Sequence, residues 1–160
     1  MLRVTVLCVG NLKERYWRDA CAEYEKRLGA FCKLNIVELA EERIADAPGA
    51  AQIAQVLEAE GKRMLAKIPA GAVVLPLCIE GREVSSPQLA ERFEKFANEG
   101  KSELVFLIGG SHGLADAVKE KATLKLSMSP MTFPHQLARV MLLEQIYRAF
   151  QISSGGKYHK

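Results

Sequence analysis

The sequence lacks the patterns that identify metalloproteins, disulfide-rich proteins and membrane-spanning proteins. Its four cysteines contain no C-x-x-C pair, and its three histidines are far apart and show no metal-ligand spacing. No apolar run approaches the roughly 18 residues that a membrane-spanning helix requires. We therefore expect free cysteines that pack in the core, no metal and no membrane partner, in a cytoplasmic protein.

The composition excludes a disordered chain, because 49% of the residues are hydrophobic and 26% are charged. A length of 160 residues without long linkers, repeats or low-complexity segments predicts a single domain over residues 1–160. The first ten residues lack a small-residue cleavage site, so they predict a buried strand and not a signal peptide.

The net charge is small but unevenly distributed along the chain. The whole sequence carries +3, residues 1–120 carry −2, and residues 121–160 carry +5, with Glu144 as their only acidic side chain. Positive charge concentrated in one segment favours an anionic partner. The alternative interpretation at this point is a solvated helix face followed by a basic tail.

Short runs of branched apolar residues alternate with amphipathic segments. The runs predict strands at 2–9, 34–39, 72–79 and 103–108, with a weaker strand at 123–127. The segments between them predict helices at 13–28, at 50–68, from Ser85-Ser86-Pro87 to a stop at Gly100, and at 135–152. This order predicts an α/β fold with a mostly parallel sheet that helices flank on both faces.

The helix predicted at 135–152 has apolar residues on more than one side. Such a helix must be buried by more than one neighbour. In a small domain, a terminal helix of this kind indicates packing against a second subunit, and a symmetric homodimer is the usual result. The alternative is a central helix of the monomer.

Three strand ends have a composition that favours ligand binding, since open α/β sheets bind ligands beyond the carboxyl ends of their strands. The segment 75–81 ends on an acid and a glycine, 105–113 ends in a Gly-Gly-Ser-His-Gly turn, and 126–134 is an uncharged loop. The uncharged loop suits an adenine ring and a thioether, with backbone groups supplying specificity. Pro130 and Pro134 stiffen it, which favours a preformed pocket. The alternative is that these are plain connections.

Neither known phosphate-binding fingerprint is present. The glycines at 109, 110 and 113 do not have the spacing G-x-G-x-x-G. The string Gly100-Lys101-Ser102 is not a P-loop, because Lys95 stands at the upstream glycine position and the string precedes a strand.

Four segments carry a family resemblance: 106–114 (FLIGGSHGL), 126–139 (LSMSPMTFPHQLAR), 143–150 (LEQIYRAF) and 155–160 (GGKYHK). In these segments, and in its length and first strand, the chain resembles the ribosomal RNA large subunit methyltransferase H (RlmH) family of the SPOUT superfamily. The resemblance implies a SPOUT α/β domain with a C-terminal deep trefoil knot, a homodimer, and S-adenosylmethionine as cofactor. The implied substrate is a pseudouridine of 23S rRNA, methylated at N3 in the assembled ribosome, with no DNA partner.

The resemblance also implies which residues form the site. The cofactor-binding residues are expected to be Leu77, Gly109, Met128, Ser129, Pro130, Met131, Thr132 and Phe133. The expected catalytic residues are His159, Tyr158 and Arg139, with Lys160 as a further candidate and Arg139 and Lys157 as phosphate contacts. The C-terminal tail is expected to order over the partner's cofactor site when RNA binds.

Several alternatives stay open at this point. His112 and His135 have either a direct role or a capping role. A non-catalytic RNA-binding module would explain the basic C-terminal quarter without a cofactor. An enzyme of the same superfamily that methylates a ribose 2′-hydroxyl is a third possibility.

Overall fold

The computed structural model describes residues 1–160 and contains five strands and five helices in strict alternation. The strands are β1 Arg3–Val9, β2 Lys33–Leu39, β3 Val73–Glu83, β4 Glu103–Ile108 and β5 Leu126–Ser127. The helices are α1 Arg15–Leu28, α2 Ala50–Leu65, α3 Ser86–Asn98, α4 Asp116–Lys119 and α5 His135–Ser153. No helix is both long enough and apolar enough to span a membrane.

All five strands form one parallel sheet in the order β2-β1-β4-β3-β5. The predicted α/β fold with a parallel sheet is therefore confirmed. Parallel pairing explains why the strands are continuously apolar, since both faces of the sheet are covered.

Alternate residues of each strand enter two apolar clusters on opposite faces of the sheet. On β1, Val6 packs in the cluster that also contains residues of α1, α3 and α5, whereas Leu7 packs in the cluster that contains residues of α2 and α4. Cys8, Cys21 and Cys32 are buried in the first cluster, as predicted for core cysteines, and Cys78 is half-buried.

The predicted start and stop of α3 are confirmed by its hydrogen bonds. The Gln88 backbone N–H donates to Ser85 Oγ at 3.2 Å, and the Ser85 backbone N–H donates to Gln88 Oε1 at 2.8 Å, which forms a capping box. At the other end Gly100 has a φ of +78°, a left-handed conformation that glycine adopts without strain.

Several elements differ from the prediction: β5 covers only 126–127 of the predicted 123–127, and α2 ends at Leu65 instead of residue 68. Strand β3 runs past the predicted end at residue 79, because Arg82 and Glu83 pair with Leu126 and Ser127 of β5. Helix α4 was not predicted, because a single turn is too short to show helical periodicity.

The chain passes itself closely where β3 meets β5. Leu126 pairs with both Leu77 and Arg82, so residues 78–81 form a bulge between the two pairings. A Cβ added to Gly81 would lie 2.6 Å from the carbonyl carbon of Leu126. Only glycine allows this approach without displacing the backbone.

The segment that follows the close approach of β3 and β5 leads the chain into α5. From β5 at the edge of the sheet, residues 128–134 pass across the carboxyl ends of β3 and β4 to reach the end of β1. There His135 Nε2 lies 3.9 Å from the position that a Cβ on Gly10 would occupy. Helix α5 then packs against the sheet beside α1 and α3.

We predict that Gly81→Ala lowers the free energy of unfolding by about 1–3 kcal/mol, since the added methyl group forces the backbone of Leu126 to move. Urea denaturation followed by circular dichroism measures the change. Gly49→Ala is the matched control, because nothing lies within 4 Å of its added Cβ and its φ is −77°. Equal stability of the two variants would contradict the proposed close crossing.

Candidate active site

A cleft of about 840 Å³ lies at the carboxyl ends of β3, β4 and β5. Three chain segments form most of its wall: 77–80, 108–114 and residues of 127–138. The fold thus brings together the three strand ends that the sequence marked as suitable for ligands. They are adjacent because parallel strands present their carboxyl ends at one edge of the sheet.

The turn after β4 is shaped by its glycines. The Gly113 backbone N–H donates to the Gly110 carbonyl oxygen at 3.1 Å, and Gly113 has a φ of +82°. A Cβ on Gly109 would overlap the carbonyl oxygen of Gly113. The turn therefore closes only with glycine at position 109, and it presents backbone instead of bulky side chains to the cleft.

The loop after β5 leaves most of its backbone polar groups free. Ser127 Oγ donates to the Ser129 carbonyl oxygen at 3.1 Å, and Ser129 Oγ accepts from the Met131 backbone N–H at 3.0 Å. No backbone–backbone hydrogen bond involves residues 128–133. The remaining amides and carbonyls are available to a ligand, and the two serine hydroxyls stabilise the loop in this conformation.

Seven of the eight residues expected to bind the cofactor line the cleft: Leu77, Gly109, Met128, Ser129, Met131, Thr132 and Phe133. The eighth, Pro130, is exposed and lies outside the lining. His112 and His135 also line the cleft, and their roles stay open.

Sequence reasoning noted the acid Glu80 in the segment 75–81 but missed its partner at the cleft. Lys119 Nζ of α4 lies 2.6 Å from Glu80 Oε1 of β3. No motif marks Lys119. The Lys119 ammonium holds the pKa of the Glu80 carboxyl below its usual range, and Glu80 in turn raises the pKa of Lys119.

Arg139 does not lie in the cleft. Its side chain is only 4% exposed, its Nη1 donates to Glu38 Oε2 at 2.8 Å, and its Nη2 donates to the Gly10 carbonyl oxygen at 3.3 Å. A guanidinium held in this way has no free surface for a phosphate or a substrate. Within one subunit, Arg139 therefore ties the start of α5 to the ends of β1 and β2, and its expected catalytic role stays a prediction.

The C-terminal tail folds back onto its own helix. Tyr158 Oη donates to Glu144 Oε1 at 2.8 Å, and its ring packs edge-on against Tyr147 with 4.9 Å between ring centroids. The Arg148 guanidinium lies 4.6 Å from the centroid of the Tyr158 ring. Within one chain, neither Tyr158 nor His159 lines the cleft. Lys157 and Lys160 are exposed.

Arg148 also contacts His159, with 3.2 Å between Nη1 and Nδ1. Arginine has no acceptor, so Nδ1 must accept this hydrogen bond, and a neutral ring then carries its proton on Nε2. His159 becomes a proton acceptor through Nδ1 only after Arg148 releases it.

Glu144 organises the tail and changes the acidity of Tyr158. The hydrogen bond to Glu144, together with burial, raises the pKa of Tyr158 to about 12. Burial raises the pKa of Glu144, but hydrogen bonds from Arg148 and Tyr158 outweigh it, so the net shift is downward. In this arrangement the phenol of Tyr158 is protonated near neutral pH and does not take a further proton.

A comparison with protein-family models identifies the family of the chain. A model described as Predicted SPOUT methyltransferase matches residues 2–159. The match covers nearly the whole chain and confirms the RlmH-family resemblance of the four sequence segments.

We predict that Glu144→Gln lowers the pKa of Tyr158 from about 12 toward the ordinary tyrosine value near 10. Absorbance titration of tyrosinate, with Tyr158→Phe subtracted to isolate this ring, measures the change. Because the folded pKa is raised, the hydrogen bond contributes stability below pH ~10, and this contribution is lost as the pH rises through about 12. An unchanged titration in Glu144→Gln would show that the carboxylate does not hold the tail.

Proposed function

Because the chain belongs to the SPOUT methyltransferase family, we propose that it transfers a methyl group from S-adenosylmethionine to N3 of a pseudouridine in 23S rRNA of the assembled ribosome. The observation that carries the proposal is the cleft where three parallel strand ends meet and the backbone groups of 128–133 are free. The closeness of the four sequence segments to the RlmH family supports the choice of substrate.

The cleft residues fit S-adenosylmethionine. A volume of about 840 Å³ lies within the range of roughly 300–1,000 Å³ typical of small-molecule sites. The uncharged side chains of 127–134 suit an adenine ring and a thioether, and the free amides and carbonyls provide specific hydrogen bonds. When bound, this cofactor supplies an activated methyl group on its sulfonium, so the protein contributes mainly alignment.

The target N3 must lose its imino proton, and the tail provides the candidate acceptor. Tyr158 is a poor candidate, because a phenol is already protonated near neutral pH and the hydrogen bond to Glu144 raises its pKa further, to about 12. His159 is the better candidate, since release from Arg148 frees a lone pair on Nδ1. Exposed Lys157 and Lys160 beside it are suited to contact RNA phosphates.

The position of the tail supports a homodimer as part of this proposal. In one chain the tail lies against the middle of α5, on Glu144, Tyr147 and Arg148, and not on the residues that line the cleft. Helix α5 also has apolar side chains that one subunit buries only in part, such as Leu137 and Met141. We infer that a second copy covers this face and that the tail of each subunit completes the cleft of its partner.

A deep trefoil knot is part of the same proposal. Two features support threading of the chain that leads into α5. Residues 78–81 form a bulge beside β5, and residues 128–134 pass over the ends of β3 and β4.

The substrate is tested by incubating the protein and labelled S-adenosylmethionine with whole ribosomes, separate subunits or free 23S rRNA that lack the modification. We expect label in whole ribosomes, and mass spectrometry of the nucleosides should find the methyl group on the base of pseudouridine. A methyl group on a ribose would overturn the N3 assignment. Failure to bind S-adenosylmethionine in calorimetry, with RNA binding intact, would favour a non-catalytic RNA-binding module.

The shared site is tested by mixing two inactive variants. Gly109→Ala distorts the cleft, and deletion of residues 158–160 removes the tail; each alone should abolish methyl transfer, and the deletion should leave cofactor affinity largely intact. In a mixed dimer, one site has an intact cleft and an intact tail from the other chain. We therefore expect activity to return after subunit exchange. If the mixed dimers stay inactive, or if the deletion variant alone is fully active, the proposed shared site is wrong.

A further inference from the structure

The wall of the cleft contains a single carboxylate. Among its lining residues, Glu80 is the only acidic side chain and Lys119 is the only lysine or arginine. The family resemblance assigns neither residue to the cofactor, and the methyl transfer proposed above uses neither. Glu80 belongs to β3 and Lys119 to α4, so the two side chains meet through the fold and not through a local sequence motif.

Lys119 orients the Glu80 carboxylate and leaves it accessible to a ligand. Lys119 Nζ is 2.6 Å from Oε1, and the Glu80 side chain is still 52% exposed. The Lys119 contact uses one oxygen, and the carboxylate also accepts from its own backbone N–H. A carboxylate has about four lone-pair sites, so it can still accept from another donor. The Lys119 side chain is 24% exposed, so the more buried cation orients the more exposed acid.

The net charge of the Glu80–Lys119 pair indicates which kind of hydrogen-bond donor it can bind. Glu80 and Lys119 together carry no net charge, so they attract a second cation weakly. Their free lone pairs still accept hydrogen bonds from neutral hydroxyls, and a carboxylate at a strand end that accepts from a ribose hydroxyl is a known arrangement in nucleotide-binding sheets.

The neighbouring side chains indicate which part of a ligand lies here. Ile79 precedes Glu80 and is 53% exposed, and Met131 in the uncharged loop is 73% exposed; both line the cleft. Exposed apolar side chains beside a hydrogen-bond acceptor suit a flat heterocycle joined to a sugar.

We propose that Glu80, oriented by Lys119, accepts hydrogen bonds from the ribose hydroxyls of the adenosine half of the cofactor. The inference rests on the proposed function, because it assumes a nucleoside cofactor in this cleft. It makes Glu80 a specificity-determining residue for the sugar and leaves methyl transfer to other groups.

Calorimetry with three ligands tests the proposal: S-adenosylmethionine, 5′-methylthioadenosine, which has the same nucleoside but no amino-acid group, and the 2′-deoxy form of methylthioadenosine. We expect Glu80→Ala to weaken the first two ligands by the same factor, about tenfold or more. Removing the 2′-hydroxyl should weaken binding to the unmodified protein by about tenfold, and to Glu80→Ala by less than about twofold. Glu83→Gln, an exposed acid outside the cleft on the same strand, is the control and should bind like the unmodified protein.

Other results overturn the inference in distinguishable ways. A loss confined to S-adenosylmethionine would assign Glu80 to the ammonium of the amino-acid group. An equal penalty for the missing hydroxyl with and without Glu80 would remove the ribose contact and leave the proposed function standing. If the unmodified protein binds neither S-adenosylmethionine nor methylthioadenosine, the proposed function itself fails.

Discussion

The close passage of Gly81 over Leu126 is the contact on which the rest of the structure depends. Because Gly81 has no Cβ, the bulged end of β3 lies directly against β5. From β5 the chain continues across the carboxyl ends of β3 and β4. That path makes one wall of the cleft and delivers α5 to its position beside α1 and α3. Arg139 then secures the first turns of α5 by its ion pair with Glu38, so the loop is held at both ends.

The cleft that results is built mainly from backbone. Its glycine turn closes only because position 109 has no side chain, and its uncharged loop has free amides and carbonyls instead of charged groups. Such a surface suits a ligand that needs shape and hydrogen bonds more than charge neutralisation. The pair of Glu80 and Lys119 is the exception, since it is the only lysine–carboxylate pair among the residues that line the cleft.

The C-terminal tail has the groups that a methyl transfer to a base requires, yet one chain keeps them away from its own cleft. Glu144 links the two tail residues to α5. Its carboxylate accepts hydrogen bonds from Tyr158 and from Arg148, and Arg148 in turn donates to His159. The same carboxylate that orders the tail also raises the pKa of the Tyr158 phenol. A second subunit is the simplest way to bring an ordered tail to a cleft, which is why we propose a dimer.

The sequence alone predicts the alternation of strands and helices, the capping box at Ser85, the stop at Gly100, the family, and the three strand ends that border the cleft. Each of these depends on a periodicity or motif within a few neighbouring residues, where local sterics and hydrogen bonds decide the outcome. The tertiary structure alone decided the strand order, the extension of β3, the burial of Arg139 and the pairing of Lys119 with Glu80. Arg139 and Glu38 are 101 residues apart in the chain, and no local preference indicates such a partner. Whether a charged side chain faces a ligand or a buried counter-ion depends on which distant segments pack around it, and only the folded chain decides that.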